Sequence, residues 1–406
     1  MIHAARGDLL PLDGVTVVDL TVNIAGPSAT LMLADLGARV IKVEPPGGDI
    51  SREWTPRDEQ GVSTVFSAFN RDKESIVIDA KTAEGRRDIR RLVADADVFV
   101  ESMRPGKAAA LGLGWEELSA LNERLVYCSV NAFGDVGPLA GVAGFDAVIQ
   151  AYSGLMELTG YPDGEPARVG GAVVDVGTGT WAALGVVAAL LQRERDGRGR
   201  RVQMTLLGTA IGYMMHHLLS ARLAGVEPKR LGTAQHNFAP YQAIRAADGM
   251  VMIGVNSDPM WRRATLALDA EHLMEDPRFV DNGSRNRHRP ALIAEIEACI
   301  AQMPADMVVE RLMQATVPAS VVRSIGSLVE DAQLEAMGLW GTTSSGVALP
   351  RTPVADPRVP IGEVPQLGQH SESILAEIAG GDGQVDELSS RRSAAGSDPA
   401  QTKGIR

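Results

Sequence analysis

Cysteine is nearly missing from these 406 residues, and the two present, Cys128 and Cys299, lie far apart in apolar surroundings. Neither has a C-x-x-C partner or metal-ligand spacing, so no disulfide framework or zinc site is expected and a reducing cytoplasm is the natural setting. Positive charge is in deficit: 39 Lys and Arg stand against 51 Asp and Glu, a formal charge of −12. That balance argues against nucleic acid as a partner, and the acidity itself serves solubility. The first residues, Met1 to Asp8, lack the apolar core of a signal peptide. The most apolar run, from Trp181 to Gln192, is too short and too rich in Ala and Gly to span a bilayer convincingly. No internal repeat is found. A soluble protein with a large core and two domains is expected.

The stretch around which the chain is organised runs from Arg168 to Arg193. Val173 and Val174 read as the end of a short buried strand, with Asp175 where the strand stops and Gly177 and Gly179 opening a tight turn. Trp181 to Gln192 has the composition of a buried helix, and the charged, glycine-broken segment 193–199 is its stop. A carboxylate on a strand-to-helix turn lies near a helix N-terminus, whose dipole keeps it ionised, and flanking glycines leave room for a ligand to approach the backbone. A carboxylate nucleophile would be presented this way. An aspartate that merely caps the helix fits the local pattern better still, because capping Asp is common.

Upstream, Val15 to Leu20 reads as a strand, Asn23-Ile24-Ala25-Gly26-Pro27 as a turn, Ser28 to Leu36 as a helix and Val40 to Glu44 as a second strand. Both strands are apolar, so a parallel sheet covered on both faces is expected. Glu44 mimics the ribose-binding acid of dinucleotide folds, but the first turn lacks G-x-G-x-x-G, which disfavours NAD and FAD. Further strands are expected at 75–79, 97–101 and 125–130, with helices at 86–94 and 115–121. Gly- and Pro-containing loops recur after strand ends, at 23–27, 45–49, 102–106, 131–138 and 175–179. In an open parallel sheet such loops gather on one edge, where ligands bind, and this places Asp175 beside Arg104 and Asn131.

Beyond Gln203 a long Met-rich helix is expected from Thr205 to Leu223. Its adjacent His216 and His217 point about 100° apart and make a poor metal pair. Residues 237–256 read as a hairpin turning at Asp248-Gly249, followed by helices at 260–268, 290–302 and 305–316. From Pro318 onward the chain is expected to return to the first domain. A last helix is expected at 372–379, and the remainder has almost no apolar residue. The boundaries are 8–200 for the first part of a large domain, 201–225 for a linker helix, and 226–325 for a small α+β domain. Residues 326–379 form the second part of the large domain, and 380–406 a tail expected to be disordered.

The sequence resembles the family III CoA-transferases, the group that includes formyl-CoA transferase, carnitine CoA-transferase and α-methylacyl-CoA racemase. The resemblance runs from Leu12 to about Ala379. It is carried by Pro11-Leu-Asp-Gly-Val15 with Asp19, by Ala25-Gly-Pro27, and by the stretch Leu33 to Pro45 with Gly48-Asp49 and Arg52. Asn70-Arg-Asp-Lys73, Arg104-Pro-Gly106, Gly144-Phe-Asp146, Ser153-Gly154, Asp175 with Thr178-Gly179, Asp248-Gly249 and Gly368-Gln-His370 complete it. It implies an α/β fold: a large Rossmann-like domain formed by both chain ends, a small α+β domain, and two subunits threaded through each other as an interlocked homodimer.

The resemblance also makes Asp175 the catalytic nucleophile, which would carry first an acyl anhydride and then a CoA thioester. An acyl-CoA donor and a carboxylic acid acceptor are the implied partners, with coenzyme A as substrate, no tightly bound cofactor, no metal and no membrane. The implied CoA contacts are Ile24 and Ala25, then Phe69, Asn70, Arg71, Asp72 and Lys73, then Ser102, Met103 and Arg104, and finally Asn131, Ala132, Phe133 and Gly134. Arg104 and Lys73 are the phosphate partners such a reading needs, since cationic groups pair with phosphate oxygens. Pro45 and Ala110 stand where formyl-CoA transferase has CoA-binding arginines, so Arg39, Arg71 or Lys107 would have to meet that charge. No run of glycines matches that enzyme's catalytic lid, so oxalate is not the expected acceptor. The racemase branch is the alternative, with α-proton exchange on a 2-methylacyl-CoA. It uses a histidine in a Gly-His-Asp motif, and here Phe145 takes that place, which carries no proton.

Overall fold

The computed structural model describes residues 10–379, so the expected tail at 380–406 lies outside the described residues. They divide into two compact units. One holds the described residues up to Ser153, Val169–Leu218, and those from Gln333 on; the other holds Gly154–Arg168 and Leu219–Ala332.

In chain order the elements run β1 (Thr16–Leu20), α1 (Ala25–Asp35), β2 (Arg39–Glu44), α2 (Thr64–Asn70), β3 (Lys73–Val77), α3 (Ala83–Ala94) and β4 (Val98–Glu101). Then come α4 (Lys107–Ala110), α5 (Trp115–Leu121), β5 (Val126–Asn131), α6 (Asp146–Ser153), α7 (Leu155–Leu158), α8 (Val173–Asp196), β6 (Arg201–Thr205), α9 (Leu206–Tyr213) and α10 (Met215–Leu219). The six strands make one all-parallel sheet in the order β3-β2-β1-β4-β5-β6. Val17 and Val18 of β1, and Val98, Phe99 and Val100 of β4, are fully buried although successive side chains point to opposite faces. A sheet covered on both sides requires this. The chain builds outward from β1 through β2 to β3, then crosses back to lay β4 on the other side of β1. The crevice outside the carboxyl ends of β1 and β4 is the switch point at which open α/β sheets bind ligands.

Several sequence expectations need correction. Val173 and Val174 are not a strand: α8 starts at Val173, and Gly177 and Gly179 lie inside it. β-branched residues favour strands, but here the first-turn amides are satisfied by a side chain from far upstream, which lets the helix begin early. The helix therefore has 24 residues and is long and apolar enough to cross a bilayer, but half of its apolar window is buried against protein. Arg201–Thr205 is not linker helix but the edge strand β6, and the stretch after it breaks into α9, α10 and a π-helical turn at Ser220–Ala224. Finally, the chain does not rejoin the first unit at Pro318, because Ala319–Val321 pairs with the second unit's hairpin.

In that second unit the hairpin is β7 (Tyr241–Arg245) and β8 (Met250–Gly254), with β9 (Ala319–Val321) antiparallel on β8. Trp261, Leu292, Ile296, Val308 and Leu312 from its helices close a core over Ile244, Val251 and Ile253. Gly154–Arg168, expected within the large domain, belongs here: Gly232 N–H donates to the Gly160 carbonyl (2.9 Å) and Arg230 pairs with Glu157 (2.5 Å).

Candidate active site

A cavity of about 210 Å³ opens at the switch point. Its walls are the turn after β1 (Val22, Asn23, Ala25, Gly26), the loop after β4 (Ser102–Pro105), the end of β5 with Ala132, the segment 142–145, Leu206 and Asp175. The β1 and β4 loops are tied together by Val22 N–H, which donates to Ser102 Oγ at 3.1 Å.

Buried charge holds the β1 turn in place. Asp19 accepts from Thr21 N–H and Oγ1 (2.8 and 2.5 Å) on one oxygen and from Thr30 Oγ1 and Lys73 Nζ (2.6 and 3.1 Å) on the other. Lys42 Nζ donates to the Thr21 carbonyl (2.9 Å) and pairs with Asp49 (2.8 Å). Asp49 in turn accepts from the N–H of Asn23, which is held at φ +68°. Burial alone would raise Asp19, but Lys73, Lys42 and the two hydroxyls outweigh it and bring it down to about 2. Gly26 must be glycine, since an added Cβ would overlap the Thr21 side chain.

Asp175 comes from the opposite wall, in the first turn of α8. It does not cap its helix. The capping carboxylate is Asp146, whose Oδ2 accepts from Val174 N–H at 2.8 Å and from Asp175 N–H at 3.1 Å. Burial, and then the Asp146 charge, push Asp175 up to about 7. This corrects the expectation of a carboxylate kept fully ionised by the helix dipole, because the amides that carry the dipole's positive end already face another carboxylate. The two helical glycines serve packing. Gly177 lies under the Tyr213 ring and hydroxyl, and Gly179 lies against Ser28 and Ala25 of α1.

Ala25, Ser102, Met103, Arg104, Asn131, Ala132 and Asp175 all line the cavity, and Arg104 is exposed there. Ile24 is the N-cap position of α1, just outside it. Asn131 Oδ1 accepts from Gly134 N–H (2.6 Å), and Phe133 packs edge-on against Tyr152. Phe69 to Lys73 do not join them, since they lead into and open β3 at the amino edge of the sheet. Arg71 is buried and paired with Asp35 (2.8 Å) and with Asp72, which also accepts from Gly362 N–H. Lys73 is buried, its Nζ donating to Asp19, to Thr30 Oγ1 and to the side-chain Oδ1 of Asn70 (2.9 Å). The phosphate role expected of Arg71 and Lys73 is therefore corrected: their charges are spent on buried carboxylates. Arg39 is held by Glu74 and Glu377, whereas Lys107 is exposed at the start of α4. Glu44, the ribose-acid mimic, is occupied internally by Arg52, Ser75 Oγ and Asp49 N–H.

Sequence reading missed Val142, Ala143, Val22 and Leu206, which carry no chemical signal of their own. A second cavity of about 200 Å³ lies along the same 103–105 loop, lined by Glu101, Tyr127, Ser129 and Gln203. Burial pushes Glu101 up to about 7 there.

The sheet order defines a doubly wound α/β protein, and a carboxylate, Asp175, lines the cavity at its switch-point crevice. Residues 12–371 match the model of CoA-transferase family III. The chain is 37% identical to the succinate–glutarate CoA-transferase of Agrobacterium fabrum over 389 residues, which cover 91% of this chain and 96% of the relative. It is 35% identical to the acetyl-CoA:oxalate CoA-transferase of Acetobacter aceti over 376 residues, 91% and 96% of the two. The crystal structure of a CAIB/BAIF family protein from Brucella suis superimposes with a TM-score of 0.84 at 37% identity, covering 91% of this chain and all of that one. The chain belongs to CoA-transferase family III. It is a CoA-transferase, and its substrates are CoA thioesters and carboxylic acids.

Proposed function

We propose that this enzyme moves CoA from a short dicarboxylyl-CoA, with succinyl-CoA the first to test, to a second short dicarboxylic acid such as glutarate, through covalent intermediates on Asp175. The observation that carries the reading is Asp175 itself, a carboxylate in the wall of the switch-point cavity between the β1 and β4 loops. The choice of acids is supported by the relative named for succinate and glutarate.

In the first step an Asp175 oxygen attacks the thioester carbonyl; the C–S bond breaks, CoA leaves as thiolate, and an acyl–aspartyl anhydride remains. The thiolate then attacks the aspartyl carbonyl, which releases the donor acid and leaves an aspartyl-CoA thioester. The acceptor carboxylate attacks that thioester, and the expelled thiolate attacks the acceptor's acyl carbon, giving the new acyl-CoA and restoring Asp175. Every step is exchange at a carboxyl carbon, so the protein supplies a nucleophile and hydrogen-bond donors for the tetrahedral oxyanions. Ala25 and Gly26, in the first turn of α1, are placed at the cavity wall to offer such N–H groups. Arg104, exposed at the same wall, is the phosphate partner we assign to CoA.

Phe145 lines the cavity where an acid/base histidine would be needed for α-proton exchange, which favours transfer over racemisation. We further propose a cytoplasmic homodimer. Trp181, Leu184 and Leu191 form an exposed apolar stripe along α8, and Met215 and Leu218 of the same unit are exposed apolar residues as well. Stripes of this kind mark surfaces that a partner covers. Incubating the enzyme with a panel of acyl-CoA donors and free acids, with the CoA products read by mass, tests the substrate assignment. Transfer from succinyl-CoA to glutarate is expected. Activity confined to monocarboxylic pairs, or α-deuterium uptake by a 2-methylacyl-CoA without acceptor, would contradict it.

A further inference from the structure

Asp146 is buried, is not among the residues lining the cavity, and aims one carboxylate oxygen at the segment that carries Asp175. One of its oxygens takes the Val174 and Asp175 amides. The other accepts from Gln150 Nε2 at 2.5 Å, and Gln150 Oε1 accepts from Val169 N–H at 2.9 Å. Gln150 is fully buried one turn further along α6. The two side chains thus grip the chain at 169, where it returns from the second unit, and at 174–175, where α8 begins. The N-cap position of α8 cannot do this work itself, since Ala172 there offers no side-chain acceptor.

We propose that Asp146, held by Gln150, is a positioning residue that fixes the nucleophile's backbone and, through its charge, drives Asp175 toward its acylated states. This rests on the reading of Asp175 as nucleophile. When Asp175 attacks the thioester, its negative charge moves to the departing CoA thiolate and the aspartyl group becomes neutral. The repulsion between the buried Asp146 and the half-buried Asp175 carboxylates is relieved at that moment and returns only when Asp175 is set free. Burial first, and then this same repulsion, raise the pKa of Asp175. The other groups facing α8's first turn are Arg104 across the cavity, Tyr213 over Gly177, the uncharged Ala25 and Ser28 of α1, and Thr209 of α9, which bonds Thr178. None of these supplies a second negative charge.

The test compares wild type with Asp146→Asn, which keeps an oxygen for the amides and loses the charge, and with Asp146→Glu, which keeps the charge and shifts the grip. The acid limb of the kcat/KM profile should move down by about one pH unit in Asp146→Asn, and the fraction of residue 175 trapped by hydroxylamine during turnover should fall severalfold. Asp146→Glu should hold the limb near the wild-type position while kcat drops. A wild-type limb at the ordinary carboxylate position would overturn the inference without any variant, so it does not depend on Asp146→Asn folding. If wild type is trapped at residue 175 but Asp146→Asn changes neither limb nor trapped fraction, the positioning role fails and the nucleophile stands. Trapping on a different carboxylate removes both.

Discussion

Gly179 of α8 meets Ser28 of α1 with no room for a side chain between them. An added Cβ would overlap the Ser28 hydroxyl and come within 2.7 Å of the Ala25 carbonyl. The two helices that carry opposite walls of the site are therefore set at a spacing that only glycine permits. Gly179→Ala should force them apart at a cost of about 1–3 kcal/mol, lower the thermal midpoint, and reduce kcat because Asp175 moves away from the α1 turn. Gly171→Ala is the control, since nothing lies within 4 Å of its Cβ position. Equal effects from the two substitutions would contradict the packing account.

Lys73 and Arg104 should separate cleanly. Lys73→Met leaves Asp19 buried with one of its cations missing, and breaking a buried pair costs about 3–5 kcal/mol. A large fall in thermal midpoint is expected, out of proportion to any change in KM for acyl-CoA. Arg104→Ala, on an exposed loop at the cavity, should leave the midpoint within a degree or two and raise KM severalfold. The opposite pattern would return Lys73 to the phosphate role.

Asp175 should make the protein less stable as pH rises. Its carboxyl ordinarily titrates near 3.8 and is held at about 7 in the fold. Between those values the folded state keeps the proton more tightly than the unfolded one. The penalty is therefore absent below 3.8, grows as pH climbs, and is complete above about 7. Asp175→Asn should melt several degrees above wild type at pH 8 and close to it at pH 4, as expected when a functional charge is kept at the expense of stability. A gap of the same size at both pH values would rule this out.

These three cases also show what the sequence could and could not disclose. The strands of the sheet are apolar on both faces and their loops are marked by Gly and Pro, so β1, α1, β2, β4 and β5 were legible, and with them Ala25, Ser102–Arg104 and Asn131. β6 was not, because Arg201, Gln203 and Thr205 give an edge strand the look of a polar helix start. The local structure at Asp175 was misread for a different reason. Val173-Val174 has strand propensity, and the side chain that overrides it, Asp146, lies 29 residues from Asp175. Lys73 was read as a phosphate partner because nothing local reveals that its side chain is buried on Asp19.

The exposed stripe on α8 gives the dimer a direct test. Leu184→Asp or Leu191→Asp should shift the light-scattering mass from dimer toward monomer, since each would place a charge in an apolar contact. Thr180→Asp, on an exposed position already polar, should do less. A wild-type protein that runs as a monomer at micromolar concentration would end this reading.

The nucleophile itself is reached most directly by chemical trapping. Wild type incubated with succinyl-CoA and no acceptor, then treated with hydroxylamine, should yield a hydroxamate on the peptide containing residue 175, identified by mass. Asp175→Asn should give none and turn over at background while keeping its fold, because an amide cannot form the anhydride and the helix start is capped by Asp146, which the variant keeps. A fully active Asp175→Asn enzyme, or a hydroxamate found repeatedly on Asp146 or another carboxylate, would contradict the assignment.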